Sequence, residues 1–127
     1  YQIYPLWIGY DRYSANYLVQ DLEQYGFHMD SVYQGTNLTG IINDTEGKLK
    51  NGEVRIGDND LLKVHLLDAA VKTDNDTNKR KLVKMRAAAH VDGVAALLDA
   101  MCMRSAHHSE IGGQLKNTRR ITELGTG

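Results

Sequence analysis

The chain contains 127 residues, 42% of them hydrophobic, and carries a formal net charge of −1. This length supports one compact globular domain, and the near-neutral charge argues against a protein that coats nucleic acid indiscriminately. No apolar run is long enough to cross a membrane and the N-terminus lacks the features of a signal peptide, so we expect no membrane contact, no export and a cytoplasmic location. A single cysteine, Cys102, excludes an internal disulfide and a cysteine-based zinc site.

The first half of the chain predicts a strand, a helix and a second strand. Residues 4–10 form an apolar and aromatic run that reads as a buried strand, and Asp11 follows it directly. Apolar residues recur at helical spacing between residues 12 and 25, and Gly26 supplies a stop signal. A second strand over 27–34 then implies a parallel pair joined by a right-handed crossover.

The second half predicts three more helices and a hairpin. Helices are expected over residues 38–50 and 60–69, followed by two short strands at 70–72 and 80–86 that are joined by a polar turn. The last predicted element is an apolar core helix over residues 92–103. The fold class is therefore α/β, a mixed sheet with flanking helices.

Two aspartates stand where predicted elements begin or end. Asp11 follows the first strand, and Asp92 opens the last helix. Each could be the N-cap of a helix, which is the commoner role for an Asp at that place. A carboxylate at the end of a strand in an α/β sheet also lies where such sheets build their sites, and two carboxylates are enough to bind Mg²⁺ together with water and a substrate phosphate.

A basic segment precedes Asp92. Residues 77–91 contain five Lys and Arg residues and no acidic residue. We expect Lys84 and Arg86 to contact phosphate from one side and Arg12, next to Asp11, from the other. A solvated strand face is the alternative interpretation.

Three segments resemble known phosphate- or metal-binding motifs but lack residues that those motifs require. The glycines at 40 and 47 are separated by six residues, instead of the four of a phosphate-binding loop. The acidic run at 74–78 lacks the glycine and the glutamate of a calcium loop, so a polar hairpin accounts for it better. His107 and His108 lack further spaced ligands, which favours exposed tail residues over a metal site.

Taken in order, four segments resemble the C-terminal nuclease domain of the large terminase subunit of tailed bacteriophages and prophages. They are YDRYSANYLVQDLEQYGF at 10–27, VYQG at 32–35, GKLKNG at 47–52 and HVDGVAALLDAM at 90–101. The resemblance implies a ribonuclease-H-like fold in which three acidic residues hold two divalent ions. On this basis residues 1–104 are expected to form a partial nuclease domain that lacks its N-terminal strands, and residues 105–127 a polar, flexible tail.

Carried over residue by residue, Asp11 matches the second acidic residue of the family and Asp92 the third. The first lies on a strand upstream of the YDR segment, so we expect it to be absent from this chain and the isolated fragment to bind metal weakly or to be inactive. Relatives tend to carry Asn where this chain has Asp68.

The resemblance implies a Mg²⁺- or Mn²⁺-dependent endodeoxyribonuclease that cuts concatemeric viral DNA in the bacterial host cell by two-metal hydrolysis. Its implied partners are double-stranded DNA, the small terminase subunit, the portal or procapsid, and an ATPase domain of the same full-length protein. Two alternatives stay open: a non-catalytic module that contacts DNA or portal, and another ribonuclease-H-like enzyme such as a resolvase or transposase.

Overall fold

The computed structural model describes residues 4–12, 16–32 and 38–113. Helices and strands alternate along the chain, which confirms the α/β class. In order, the elements are β1 (Ile8–Asp11), α1 (Asn16–Gln24), β2 (Met29–Val32), α2 (Thr39–Lys50), α3 (Asp60–Asp68), β3 (Ala69–Thr73), β4 (Arg80–Lys84) and α4 (Asp92–Ala106).

The strands form two separate pairs. β1 and β2 are parallel, in a register that places Ile8 opposite Met29 and Asp11 opposite Val32, as the predicted crossover requires. β3 and β4 form the predicted antiparallel hairpin. Its turn is closed by backbone hydrogen bonds between Asp74 and Asn78 and between Asp74 and Lys79, so the acidic run serves as a polar hairpin.

The helices begin where their sequence signals place them, with one exception. Asn59 caps α3, because its Oδ1 accepts a hydrogen bond from the amide of Leu62 at 3.0 Å. The exception is the first helix, predicted from residue 12: Arg12 lies in a turn, and the helix is described from Asn16. Its apolar face is narrower than expected, since Val19 is buried while Leu18 is 59% exposed. Among the described residues, no helix combines the length and apolar character that crossing a membrane requires.

The core is built around α4, as predicted. Apolar side chains from α4 meet those of β2 and α2, while α3 packs against another part of α4. The buried cluster consists of Val32, Leu38, Ile42, Leu98 and Met103.

The C-terminal end of α4 is longer than expected and is held in place by contacts. The helix was predicted to end near Met103 and runs slightly further, to Ala106, and residues 108–113, predicted as part of a polar tail, are again helical. The ring of His107 stacks on Trp7 with centroids 3.7 Å apart, and its Nε2 lies 3.0 Å from Asp30 Oδ2. His107 is therefore not the exposed tail residue that was expected. The rest of the predicted tail, 114–127, lies outside the described residues.

β1 lies unusually close to α4 at Gly9. A Cβ atom built on Gly9 would stand 2.8 Å from the carbonyl oxygen of Asp99 and 2.9 Å from Cγ of Met103. The carbonyl belongs to the backbone of a packed helix and cannot move aside cheaply. Only glycine fits at this position.

Substituting Gly9→Ala should therefore lower the free energy of unfolding by about 1–3 kcal/mol, the usual cost of overpacking. Gly40→Ala is the matched control, because its Cβ would meet nothing within 4 Å. That change should be neutral or stabilising by up to about 1 kcal/mol, since alanine favours a helix over glycine. Urea denaturation of both variants measures the difference, and equal stability would contradict the close approach.

Candidate functional site

Asp11 is the last residue of β1, and its side chain is half-buried. Alternate side chains of a strand point to the same face. Gly9, two residues earlier, faces α4. The carboxylate of Asp11 therefore lies on the face of β1 that packs against α4.

The two elements run in opposite directions, so the carboxyl end of β1 approaches the N-terminal half of α4. Trp7 stacks on His107 at the far end of the helix, and Gly9 lies beside Asp99 and Met103. Two strand residues advance about 6.6 Å, the rise of about four helical residues. Asp11 is thus level with the helical turns between Asp92 and Asp99.

Asp92 occupies the first turn of α4 and its side chain is exposed. Seven residues are almost two full turns, so Asp92 and Asp99 lie on nearly the same side of the helix. The backbone of Asp99 contacts β1 at Gly9, whereas Asp92, about two turns earlier, lines a cleft between α3 and α4. Because β1 and α4 run in opposite directions, Asp11 and Asp92 lie toward the same end of this pair of elements.

The N-cap interpretation is wrong for Asp92. The N-cap of α4 is Val91, whose side chain makes no capping hydrogen bond, and Asp92 is already a helical residue in the first turn. Asp11 is the last residue of β1 and is followed by a turn at Arg12. Its alternative role as a helix cap depends on residues 13–15, which lie outside the described residues.

The donor chemistry of this pair suits a hard divalent cation. In the part of the chain that the structure describes, no three His, Cys, Asp or Glu side chains converge in a metal-binding cluster. Mg²⁺ is commonly held by one or two carboxylates, with water and substrate phosphate completing its octahedron. Two aspartates at one end of a strand and a helix fit this mode of binding. Their role as ligands stays a prediction.

The predicted phosphate-contacting residues are all exposed, but they differ in their surroundings. Lys84 ends β4, opposite Ala69, and Arg12 directly follows Asp11. Arg86 is 72% exposed, with Nη2 3.7 Å from Oδ1 of Asp68. A guanidinium has five donors, so this loose ion pair leaves Arg86 able to bind phosphate. Asp68 thereby acquires a cationic neighbour.

Another cation of the basic segment is committed to the fold. Arg80 Nη1 donates to Glu46 Oε2 at 2.9 Å and to Oδ1 of Asn43, which ties β4 to α2. The hydrogen bond from Arg80, together with Lys50, lowers the pKa of the Glu46 carboxyl. Arg80 is therefore a structural residue, and fewer side chains of the basic segment are available to contact phosphate.

Sequence reasoning missed two residues near Asp92. Asp99 lies one heptad later on the same side of α4, and that spacing is a signal that could have drawn attention to it. His65 accepts a hydrogen bond from the amide of Gly93 at 2.8 Å. No spacing rule links residues 28 positions apart on different helices, so only the tertiary structure shows this contact.

Cys102 has no nucleophilic role in this arrangement. Its side chain packs partly buried against the core cluster. Burial, and secondarily the charge of Asp99, raises the pKa of the Cys102 thiol. A raised pKa keeps the sulfur protonated at neutral pH, where the thiolate is the reactive form.

Labelling of Cys102 with a disulfide reagent at pH 8 should therefore be slow in the folded chain. In denaturant the pKa returns to its ordinary value, and the rate should rise by at least about tenfold, because more thiolate is present and it is accessible. Spectrophotometric release of thionitrobenzoate measures both rates. Equally fast labelling of the folded chain would contradict the burial of this side chain.

Comparison with known proteins fits these observations. The family model for the terminase large subunit, endonuclease domain, matches residues 6–110. The chain belongs to this family. No curated protein matches the chain. Among solved structures, this terminase nuclease domain is similar to the large terminase of bacteriophage HK97, with a TM-score of 0.63 and 24% sequence identity.

The HK97 alignment covers 75% of this chain but only 20% of the HK97 protein. The chain therefore spans about a fifth of the length of that relative, and the likeness shows the fold alone. The fold is the α/β, ribonuclease-H-like architecture of the terminase nuclease domain, as the sequence resemblance implied.

Proposed function

We propose that this terminase nuclease domain is a divalent-metal-dependent endodeoxyribonuclease that cuts concatemeric viral DNA, with Asp11 and Asp92 as metal ligands. The observation that supports the proposal is the placement of Asp11 as the last residue of β1 and of Asp92 in the first turn of α4, two elements that pack against each other in opposite directions. Membership of a terminase endonuclease family supports the reaction class.

The chain's own residues would divide the work between metal binding and phosphate binding. Asp11 and Asp92 would hold Mg²⁺ or Mn²⁺. These two residues are carried by a strand and a helix that pack against each other. When bound there, such ions would supply Lewis-acid chemistry: activation of a water nucleophile and stabilisation of the leaving 3′ oxygen. Lys84, Arg86 and Arg12 would neutralise the scissile and neighbouring phosphates, which lowers the cost of bringing DNA to an acidic site.

The proposed biological setting is a DNA-packaging motor. Its partners would be double-stranded DNA, the small terminase subunit and the portal or procapsid. An ATPase domain of the same full-length protein would drive translocation, while the nuclease domain cuts. The location would be the cytoplasm of the bacterial host.

Replacing Asp92 should abolish cleavage if it is a metal ligand. In a polypeptide that extends this chain upstream, Asp92→Asn should reduce Mn²⁺-dependent nicking of supercoiled plasmid by about 100-fold or more. Asp11→Asn should have the same effect. The matched control is Asp58→Asn, the same chemical change at an exposed turn residue outside the site. If Asp92→Asn nicks as well as the parent, the carboxylate site fails and a non-catalytic DNA-binding module becomes the better account.

Replacing Lys84 should weaken DNA binding without sequence preference. If its ammonium group contacts one phosphate, Lys84→Ala should reduce the slope of log Kobs against log salt by about 0.9. Lys50→Ala is the control, because Lys50 lies at the end of α2 and pairs with Glu46. Fluorescence anisotropy of a labelled duplex without divalent ions measures both slopes. An unchanged slope for Lys84→Ala would remove it from the DNA contact.

A further inference from the structure

The N-terminus of α4 is capped by a side chain from another helix. The backbone N–H of Gly93 donates a hydrogen bond to Nδ1 of His65, which lies on α3, at a distance of 2.8 Å. Because Nδ1 accepts this bond, the proton of the neutral imidazole resides on Nε2.

The local sequence makes this cap necessary. The first amides of a helix have no acceptor within the helix. Val91, at the N-cap position, has no oxygen in its side chain and makes no capping bond. His65 supplies the acceptor that the side chain of Val91 lacks.

The absence of a side chain at Gly93 leaves room for the ring of His65. A Cβ at this position would stand 2.8 Å from Nδ1 of His65 and 3.2 Å from Cδ1 of Leu62. A larger residue would displace the His65 ring from the Gly93 amide or shift the side chain of Leu62. The glycine that follows Asp92 is thus explained by a contact with α3.

Asp92 lies next to this hydrogen bond. His65, Asp92 and Gly93 line one shallow apolar cleft between α3 and α4. The ring of His90, two residues before Asp92, lies 6.4 Å from that of His65. The backbone that presents the exposed carboxylate of Asp92 is therefore fixed on one side by a hydrogen bond to α3.

We propose that His65 is a positioning residue for Asp92: by accepting the Gly93 amide it holds the first turn of α4 in the orientation in which Asp92 binds metal. This inference rests on the proposed function only for the role of Asp92. The capping of α4 by His65 stands on the geometry alone.

Two substitutions separate the cap from the bulk of the side chain. His65→Leu keeps an apolar body of similar size but removes the acceptor. His65→Asn offers Oδ1 close to the position of Nδ1, so it can accept the same hydrogen bond. In NMR hydrogen exchange, His65→Leu should speed exchange of amides 93–96 by about fivefold, the usual effect of losing a cap. Amides 100–104, at the other end of α4, serve as the internal control.

Metal binding is read on the same samples. Mn²⁺ added to the chain should broaden the amide signals around Asp92, and His65→Leu should raise the Mn²⁺ concentration needed for half of this effect by about fivefold. His65→Asn should stay within about twofold of the parent in both measurements. This rescue distinguishes a specific acceptor from general packing.

The outcomes are distinct. If neither the parent nor a polypeptide that extends it upstream shows a Mn²⁺ effect around Asp92, the proposed function fails. If that effect is present but His65→Leu does not weaken it, or His65→Asn fails as badly as His65→Leu, the positioning role is overturned. Unchanged exchange of amides 93–96 in His65→Leu would overturn the cap itself.

Discussion

The close approach of β1 to α4 at Gly9 is the constraint on which the rest of the structure depends. A strand backbone can lie this near a helix backbone only where no side chain intervenes, and the 2.8 Å separation of a built Cβ from the Asp99 carbonyl shows that no room is left. This contact fixes the distance and the antiparallel direction of the two elements. Because Asp11 ends β1 and Asp92 begins α4, the antiparallel packing places both residues toward the same end of this pair of elements.

The helix that carries Asp92 is held at both ends by histidines. His107 stacks on Trp7 and approaches Asp30 at the C-terminal end, and His65 accepts the Gly93 amide at the other. Between them, Leu98 and Met103 are buried in the core cluster. A ligand must be held within a fraction of an ångström to support catalysis, and a helix fixed along its whole length provides that rigidity.

The local elements of this fold could be predicted from sequence because their signals are local. The apolar run before Asp11, the Asn59 cap and the helical spacing of the α4 side chains depend on near neighbours in the chain, and all are found in the structure. The end of α4 was misplaced because it depends on the stacking of His107 on Trp7, a partner 100 residues earlier. Polar composition alone therefore suggested a tail where contacts across the fold form a helix.

The candidate site, too, could be predicted from sequence only in part. Asp11 and Asp92 were identified from short segments of family-like sequence, since each lies at the boundary of a predicted element. Sequence could not show that Asp92 is not the cap of α4, because that depends on the N-cap being Val91. The salt bridge between Arg80 and Glu46 could not be predicted either. Sequence does not distinguish one basic residue of a strand from another until the position of the partner helix is known.

The central claim is that Asp11 and Asp92 bind the same metal centre. Its most direct test is an NMR titration of the chain with Mn²⁺, in which paramagnetic broadening is followed at the amides around both residues. The account predicts that both segments broaden with one midpoint and that either Asp11→Asn or Asp92→Asn weakens the effect at both. Separate midpoints, or broadening at one segment that survives substitution of the other aspartate, would contradict a shared site.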